Sequence, residues 1–210
     1  PALKIHSKIS LVVREEVGGV TTYAHIGTGN YNSRTARVYT DLGLFTADRG
    51  ICADLVTIFN SLTGYAADVE ARHLLVAPTN LRAELQWRVQ REIEAARAGK
   101  PARVVFKLNA LEDREFTRLL YEASAAGVQV DLIVRGICRL RPGLPGVSDR
   151  VRVVSVIGRF LEHARVYMFE NQGDPEYFIG SADIMKRNLD ERIEVLAPVR
   201  QADLKQHLQD

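Results

Sequence analysis

Apolar and polar residues alternate along the opening stretch KIHSKISLVV, residues 4–13. The apolar positions are Ile5, Ile9, Leu11 and Val13, and polar residues stand between most of them. A period of two is typical of a half-buried strand, and alternate side chains of a strand point to the same face. The pattern therefore predicts one strand whose polar face carries both His6 and Lys8.

The pattern predicts a hairpin and then a first helix. After a glycine turn in EEVGG, the stretch VTTYAHIG is predicted to return as a second strand, and ARVYTDLGLF to form a third. TADRGICADLVTIFNSLTG has apolar residues at helical spacing. Thr46 or Asp48 is the predicted N-cap of this helix and Gly64 its end.

From residue 73 onwards, predicted strands alternate with predicted helices. The strands are HLLVAP, RVVFKLN and VQVDLIVRG, and the helices are NLRAELQWRVQREIEAARAGKP and LEDREFTRLLYEASAAG. This alternation is typical of βαβ units with parallel strands. RPGLPGVSD is predicted to be a loop, followed by strands in RVRVVSVIGRF, HARVYMFE, PEYFIGSAD and ERIEVLAPV and a helix in ADLKQHLQD. We expect an α/β fold with two domains, residues 1–72 and 73–210.

Composition narrows the class of protein without identifying it. Of the 210 residues, 46% are hydrophobic and 26% are charged, which indicates a folded chain and argues against disorder. No apolar run has the length of a membrane-spanning helix and no signal peptide is evident, so we expect a cytoplasmic protein, with peripheral membrane association left open. Cys52 and Cys138 lack the spacing of a metal site. A net charge of +2 does not indicate nucleic-acid binding.

A repeat connects the opening strand with residues 163–194. HSKISLVV, starting at His6, resembles HARVYMFE, starting at His163, and each is followed by a hairpin and then by IGTGN or IGSAD. Arg34 lies four residues after Asn30, and Arg187 four residues after Asp183. Two copies of such a pattern in one chain indicate a duplicated site.

The residue types of the repeat suit phosphate chemistry. In a strand, H-x-K or H-x-R places an imidazole and a cation on one face, where the cation binds a phosphate oxygen and the imidazole attacks or donates a proton. The G-[TS]-x-[ND] segment offers backbone N–H groups and a side-chain oxygen. We expect Asn30 or Asp183 to orient the histidine of its own copy.

The paired motifs resemble the H-x-K and G-[GST]-x-[ND] half-sites of the phospholipase D superfamily. The aspartate that this superfamily carries after the lysine is absent from both copies, and arginine replaces lysine in the second. Longer blocks resemble one branch, the bacterial polyphosphate kinases: YAHIGTGNYNSRTARVYTDLGLFTAD, KLNALED, LIVRGICRLRPGLPG, RFLEHARVY and IGSADIMKRNLDERIEV. The resemblance implies phospholipase D-like mixed sheets flanked by helices, in two related domains. Because the chain begins at Pro1, directly before a strand pattern, we interpret it as a piece of a longer protein whose first domain is truncated at its N-terminus.

The resemblance also implies roles for particular residues. These kinases reversibly move the terminal phosphate of ATP to polyphosphate, and His6 matches their phosphorylated histidine. His163 matches the second histidine, expected to act as general acid/base and to contact ATP, and Tyr39 and Arg135 match ATP-contacting residues. The expected phosphate-binding residues are Lys8, Asn30, Arg34, Arg165, Asp183 and Arg187.

Several alternatives and partners remain open at this stage. A phosphodiesterase or nuclease of the wider superfamily would use the same histidines, and a catalytically incomplete fragment would bind polyphosphate without turnover. Mg²⁺ is the expected cofactor, with its ligands upstream of this chain and none within it. We expect ATP, ADP and inorganic polyphosphate as ligands, no nucleic acid, and a homo-oligomer in the full-length protein.

Overall fold

The computed structural model describes residues 3–64 and 70–209. Within these ranges the chain forms thirteen strands and five α-helices. The strands are β1 (Lys4–Ile5), β2 (Lys8–Glu16), β3 (Gly19–Gly27), β4 (Tyr39–Thr40), β5 (Gly43–Thr46), β6 (Leu75–Ala77), β7 (Arg103–Leu108), β8 (Gln129–Val134), β9 (Val151–Val154), β10 (Leu161–Glu162), β11 (Val166–Phe169), β12 (Glu176–Gly180) and β13 (Arg192–Val199). The helices are α1 (Arg49–Leu62), α2 (Leu81–Arg97), α3 (Arg114–Ala126), α4 (Lys186–Asp190) and α5 (Ala202–His207).

An eight-stranded mixed sheet forms the centre of the fold, in the order β1-β13-β12-β11-β7-β8-β9, with β6 also paired to β13. Strands β7, β8 and β9 are parallel, as the βαβ pattern predicts, whereas β11, β12 and β13 pair antiparallel. One core cluster joins the sheet to α2 and α3 through side chains such as Val89 and Phe116. A second cluster joins it to α1 and β3 through Leu55 and Ile26. The expected α/β architecture is confirmed.

Local signals at the helix ends explain where the helices begin and stop. Asp48 is the N-cap of α1, and its carboxylate accepts from the N–H of Ile51 at 3.0 Å. Gly127 ends α3 in the left-handed conformation, at φ 106°, which glycine adopts without steric cost. Asn80 precedes α2 as expected, but its side-chain oxygen accepts from the N–H of Val76 at 2.6 Å, so it closes the preceding turn.

The opening stretch contradicts the prediction of one continuous strand. β1 pairs in parallel with β13, and the N–H groups of His6 and Ser7 both donate to the carbonyl of Ile193 at 2.9 Å. The chain then leaves the large sheet, and β2 joins a separate antiparallel sheet with β3 and β5. Periodicity does not reveal this change because both short strands keep the same alternation. His6 lies at the crossing between the two sheets.

The strands predicted in ARVYTDLGLF and RVRVVSVIGRF are also shorter than expected. The first stretch begins within a 3-10 turn at Thr35–Arg37, before β4, and β4 and β5 belong to different sheets. In the second stretch, strand structure ends at Val154. β4 instead pairs in parallel with β10, and the N–H of His163 donates to the carbonyl of Thr40 at 3.1 Å. These two short strands bring distant parts of the chain together beside His163.

The halves of the chain share one core. β1 extends the sheet built by the second half, and α1 packs between that sheet and β3. The domain boundary predicted near residues 65–73 falls partly on residues 65–69, which lie outside the described residues. No helix in the described ranges is long and apolar enough to cross a membrane.

Asp54 of α1 fixes the segment that enters β6. It is 6% exposed, and one carboxylate oxygen accepts the N–H groups of Arg72, His73 and Leu74 at 3.0, 2.6 and 2.8 Å. Asp54→Asn is expected to lower the free energy of unfolding by about 2 kcal/mol, because charge-assisted hydrogen bonds are lost in a buried place. Urea denaturation measures the change, with exposed Asp203→Asn as the control. Equal midpoints for the two variants would contradict the assignment.

Candidate active site

His6 forms a hydrogen-bonded pair with a buried carboxylate from the other half of the chain. Its Nδ1 lies 2.9 Å from both oxygens of Glu194. Glu194 is on β13 and its side chain is fully buried, whereas the side chain of His6 is 22% exposed. The pairing of β1 with β13 places the two residues side by side. The Glu194 carboxylate can accept a hydrogen bond from Nδ1–H, which leaves Nε2 as the free nitrogen of the ring.

Glu194 accepts two further hydrogen bonds. The Ser181 hydroxyl donates to one of its oxygens, and the side-chain amide of Asn188 donates to the other at 2.6 Å. Ser181 follows β12 and Asn188 lies on α4, and both are at most 1% exposed. Three donors thus surround a carboxylate that has no contact with water, as a buried charge requires.

His163 forms the second pair, with Asp41 of the first half. Its Nδ1 lies 2.7 Å from the Asp41 carboxylate, which also accepts from the Thr28 hydroxyl at 2.7 Å. Burial raises the pKa of Asp41, but the hydrogen bonds from His163 and Thr28 and the nearby charges of His163 and Arg165 outweigh burial, so its pKa lies below the ordinary value. The ring of Tyr39 lies 4.9 Å from the His163 ring between centroids.

The two pairs follow one pattern in both halves. Thr28 and Asp41 are separated by 13 residues, and so are Ser181 and Glu194. In each copy the hydroxyl donates to the carboxylate and accepts a hydrogen bond from the backbone N–H of the residue that follows the carboxylate. These donors are Leu42 N–H, at 2.9 Å from the Thr28 hydroxyl, and Val195 N–H, at 3.2 Å from the Ser181 hydroxyl. Each half supplies a histidine to the other half's carboxylate. The arrangement is a reciprocal exchange.

The cation two residues after each histidine folds back on it. Lys8 Nζ donates to the carbonyl of His6, and Arg165 Nη1 donates to the carbonyl of His163 at 2.9 Å. Arg165 also forms two hydrogen bonds with Asp183, at 3.3 and 3.0 Å, and one with the carbonyl of Thr28 at 3.1 Å. This buried guanidinium therefore joins the two halves.

Lys8 is 4% exposed, and burial lowers its pKa to about 8. Glu194 and Asp41 act in the opposite direction, while the positive charges of Arg165 and Arg192 add to the lowering. Lys8 therefore interacts electrostatically with the carboxylates of both histidine pairs.

Arg135 approaches the same region from the end of β8. Its Nε donates to the side-chain oxygen of Asn109 at 3.0 Å, and the Asn109 amide lies 3.4 Å from the carbonyl of His163. The N–H of Asn109 donates to Asp183 at 2.7 Å. The guanidinium is thus positioned by a network that also includes Arg165.

Other predicted site residues lie apart from this centre. Asn30, Arg34 and Arg187 are exposed, and across residues 3–64 and 70–209 no side-chain hydrogen bond joins them to either histidine. The expectation that Asn30 or Asp183 orients the histidine of its own copy is wrong. Asp183 pairs with Arg165, and Asn30 faces solvent.

Sequence reasoning missed the two carboxylates that pair with the histidines, Glu194 and Asp41. Glu194 is a single charged position between Ile193 and Val195 in an apolar strand, and this was a usable signal because buried carboxylates need partners. The equal 13-residue spacing from each G-[TS] hydroxyl was a second signal.

Comparison with known proteins identifies the family. The family model described as Polyphosphate kinase C-terminal domain 2 matches residues 74–210, and the model for C-terminal domain 1 matches residues 1–68. The chain belongs to the polyphosphate kinase family. Polyphosphate kinase of Thermosynechococcus vestitus is 55% identical over the whole chain, which covers 29% of that protein. The Streptomyces coelicolor polyphosphate kinase is 54% identical over 94% of the chain, which covers 26% of that protein.

A solved polyphosphate kinase has the same fold. The crystal structure from Porphyromonas gingivalis aligns over the whole chain with a TM-score of 0.94 and 40% identity, and the alignment covers 33% of that structure's chain. The expected mixed sheets flanked by helices are confirmed. The chain spans about 30% of the length of the curated relatives that it matches.

The described residues contain no group of three or more His, Cys, Asp or Glu side chains placed to hold a metal ion. The acidic residues of the site are engaged by histidine, arginine, hydroxyl and amide partners.

We expect Lys8 to change its protonation when a phosphate chain binds. In the free protein its pKa is about 8, and an added anion stabilises the ammonium form, so the pKa moves upwards towards 10.5. Tripolyphosphate binding between these two pH values then takes up protons. Titration of ¹³C-labelled lysine by NMR measures both values, and Lys8→Arg assigns the resonance. A pKa that does not change with tripolyphosphate would refute this expectation.

Gly29 leaves room for Asp41. A Cβ at this position would lie 1.9 Å from the Asp41 carboxylate, closer than atoms approach in proteins. Gly29→Ala is therefore expected to displace Asp41 and to remove its hydrogen bond to His163. The loss of the downfield Nδ1 proton signal of His163 in NMR spectra reports this change. Gly18→Ala is the control, because a Cβ there meets nothing within 4 Å. Retention of the signal in Gly29→Ala would contradict the argument.

Proposed function

We propose that this chain carries the phosphoryl-transfer centre of a polyphosphate kinase, which moves the terminal phosphate of ATP reversibly to polyphosphate through a phosphohistidine on His6. The observation that carries the proposal is the hydrogen bond between His6 Nδ1 and buried Glu194. A histidine nucleophile needs one nitrogen protonated and held and the other one free. The names of the relatives supply the substrate class.

In the proposed reaction, Nε2 of neutral His6 attacks the terminal phosphorus of ATP. The Nε2–P bond forms while the bond from phosphorus to the bridging oxygen breaks, and ADP leaves with that electron pair. The phosphorylated ring is positively charged with its proton still on Nδ1, and the Glu194 carboxylate stabilises it. A terminal oxygen of polyphosphate then attacks the phosphorus and releases neutral His6.

Charge neutralisation by nearby cations supports the transfer. Lys8 and Arg165 lie beside the histidines, and Arg135 is held at the end of β8. Phosphoryl transfer depends mainly on positioning and on stabilising charge at the phosphate oxygens. His163 is the proposed general acid/base: Asp41 holds its Nδ1, and its Nε2 lies 3.2 Å from Nη1 of Arg165, the cation proposed to bind the phosphate.

The remaining ligand assignments follow the family. Tyr39 and Arg135 are proposed to contact ATP together with His163, and Tyr39 already lies against the His163 ring. Exposed Arg34 and Arg187, with Asn30, are proposed contacts for the polyphosphate chain. We propose ATP, ADP and polyphosphate as ligands, Mg²⁺ as cofactor, a cytoplasmic location and a homo-oligomeric full-length protein.

Labelling with γ-³²P-ATP tests the proposal. The chain is expected to acquire acid-labile, alkali-stable label, and His6→Gln is expected to lower labelling at least a hundredfold because the nucleophile is lost. His163→Gln is expected to slow labelling without abolishing it. His207→Gln is the control, since His207 is exposed on α5.

The same experiment separates the alternatives. Acid-stable label, or label that persists in His6→Gln, would refute a phosphohistidine on His6. Cleavage of a phosphodiester substrate without labelling by ATP would favour a phosphodiesterase. Binding of tripolyphosphate without labelling would favour a fragment that binds polyphosphate and needs further parts of the enzyme for transfer.

A further inference from the structure

The two histidine pairs differ in how their carboxylates are held. Asp41 accepts from His163 and Thr28, and its side chain is 23% exposed. Glu194 is fully buried and accepts from His6, Ser181 and also Asn188. The hydrogen bond from Asn188 is the main difference between the two copies. It occurs only on the side of His6.

The first copy has no counterpart of Asn188. Asn188 lies six residues before Glu194, and the residue six before Asp41 is Thr35. The Thr35 hydroxyl donates to the carbonyl of Asn32 at 3.2 Å, within its own turn. The third donor is therefore a feature of the second copy alone.

Asn188 is held firmly in its place. It is 1% exposed on α4, beside fully buried Leu189. Asp190, at the end of the same helix, pairs with Arg82 of α2 at 2.7 Å, and Arg82 also pairs with Asp113 at 2.8 Å. The short helix is thus anchored to two others, and the Asn188 amide has little freedom to turn away from Glu194.

This arrangement has an energetic cost that packing alone does not explain. The side-chain oxygen of Asn188 is buried and has no hydrogen-bond partner among the described residues. A buried polar atom without a partner is unfavourable, and an apolar residue of similar volume would avoid it. The amide nitrogen of the same side chain donates to Glu194, so this bond is made despite the cost of the unpaired oxygen.

We propose that Asn188 is a positioning residue that holds the Glu194 carboxylate towards His6 Nδ1, so that the Nε2 of His6 stays unprotonated and faces the incoming phosphate. The assignment of a nucleophile rests on the proposed function, whereas the control of the His6 tautomer does not. Without Asn188, the buried carboxylate keeps only two donors, and its Oε1 loses the hydrogen bond from the amide. The preference of His6 for a proton on Nδ1 then weakens.

NMR of the histidine side chains tests the proposal. Long-range ¹H–¹⁵N spectra, recorded where His6 is neutral, are expected to show the Nδ1–H tautomer in the wild-type chain. In Asn188→Leu the ratio of this tautomer to the Nε2–H tautomer is expected to fall about fivefold, as for the loss of one hydrogen bond. Lys186→Ala is the matched control on α4, because its side chain is 72% exposed and pairs only loosely, at 3.7 Å, with Glu191.

Labelling by ATP adds a second readout. Asn188→Leu is expected to lower the maximal labelling rate by roughly tenfold to a hundredfold, with an unchanged KM for ATP, because Asn188 acts through Glu194. Such a split, together with the tautomer change, supports the proposal. A raised KM with an unchanged maximal rate would overturn it. If the wild-type chain acquires no label, the proposed function fails while the tautomer measurement still decides the role of Asn188.

One outcome is decisive without kinetics. If Asn188→Leu folds and His6 keeps the wild-type tautomer ratio, the proposal is overturned. If Asn188→Leu does not fold, the wild-type side-chain amide signals of Asn188 decide: slow solvent exchange with a downfield proton supports the bond to Glu194, and fast exchange overturns it.

Discussion

The reciprocal exchange of carboxylates is the interaction on which the rest of the site depends. Glu194 of the second half holds His6 of the first, and Asp41 of the first half holds His163 of the second. Two short parallel pairings bring this about, β1 with β13 and β4 with β10. A register slip of one residue in either pairing would turn the side chains to the opposite face. The pairings of β1, β4 and β10, which have two residues each, thus determine which side chains meet at the centre of the site.

The exchange also links the stability of the two halves. Buried Glu194, Arg165 and Lys8 each lose hydration in the folded chain, and each is compensated partly by groups from the opposite half. Removing one partner of a buried charge pair typically costs about 3–5 kcal/mol, because the remaining charge is uncompensated. Separation of the halves would leave several such charges at once. The site and the shared core therefore form as one cooperative unit.

The sequence predicted the α/β class, the helices, the repeated motif and the two histidines, because these depend on local periodicity, capping and spacing. Asp48 and Gly127 act at the helix ends where local signals place them. The break after β1 could not be predicted, since β1 and β2 continue the same alternation although they belong to different sheets. The partners of the histidines could not be predicted either. Glu194 lies 188 residues from His6, and Asp41 lies 122 residues from His163. Which carboxylate meets which histidine depends on the pairing of the short strands. Asp183, the aspartate of the second motif, was expected to orient a histidine, but its carboxylate accepts from Arg165.

The differences between the two pairs are consistent with unequal roles for the two histidines. A nucleophile benefits from a rigid ring with a fixed tautomer, and His6 has a dry carboxylate held by three donors. A group that exchanges protons benefits from a partner that adapts, and Asp41, the partner of His163, is partly exposed with fewer donors. Lys8 interacts with both carboxylates, and its lowered pKa of about 8 shows that the free site holds its positive charge with difficulty. A bound phosphate would stabilise the ammonium form of Lys8 by its negative charge. The same lysine would then stabilise the phosphate on either side of its transfer, as a reversible reaction requires.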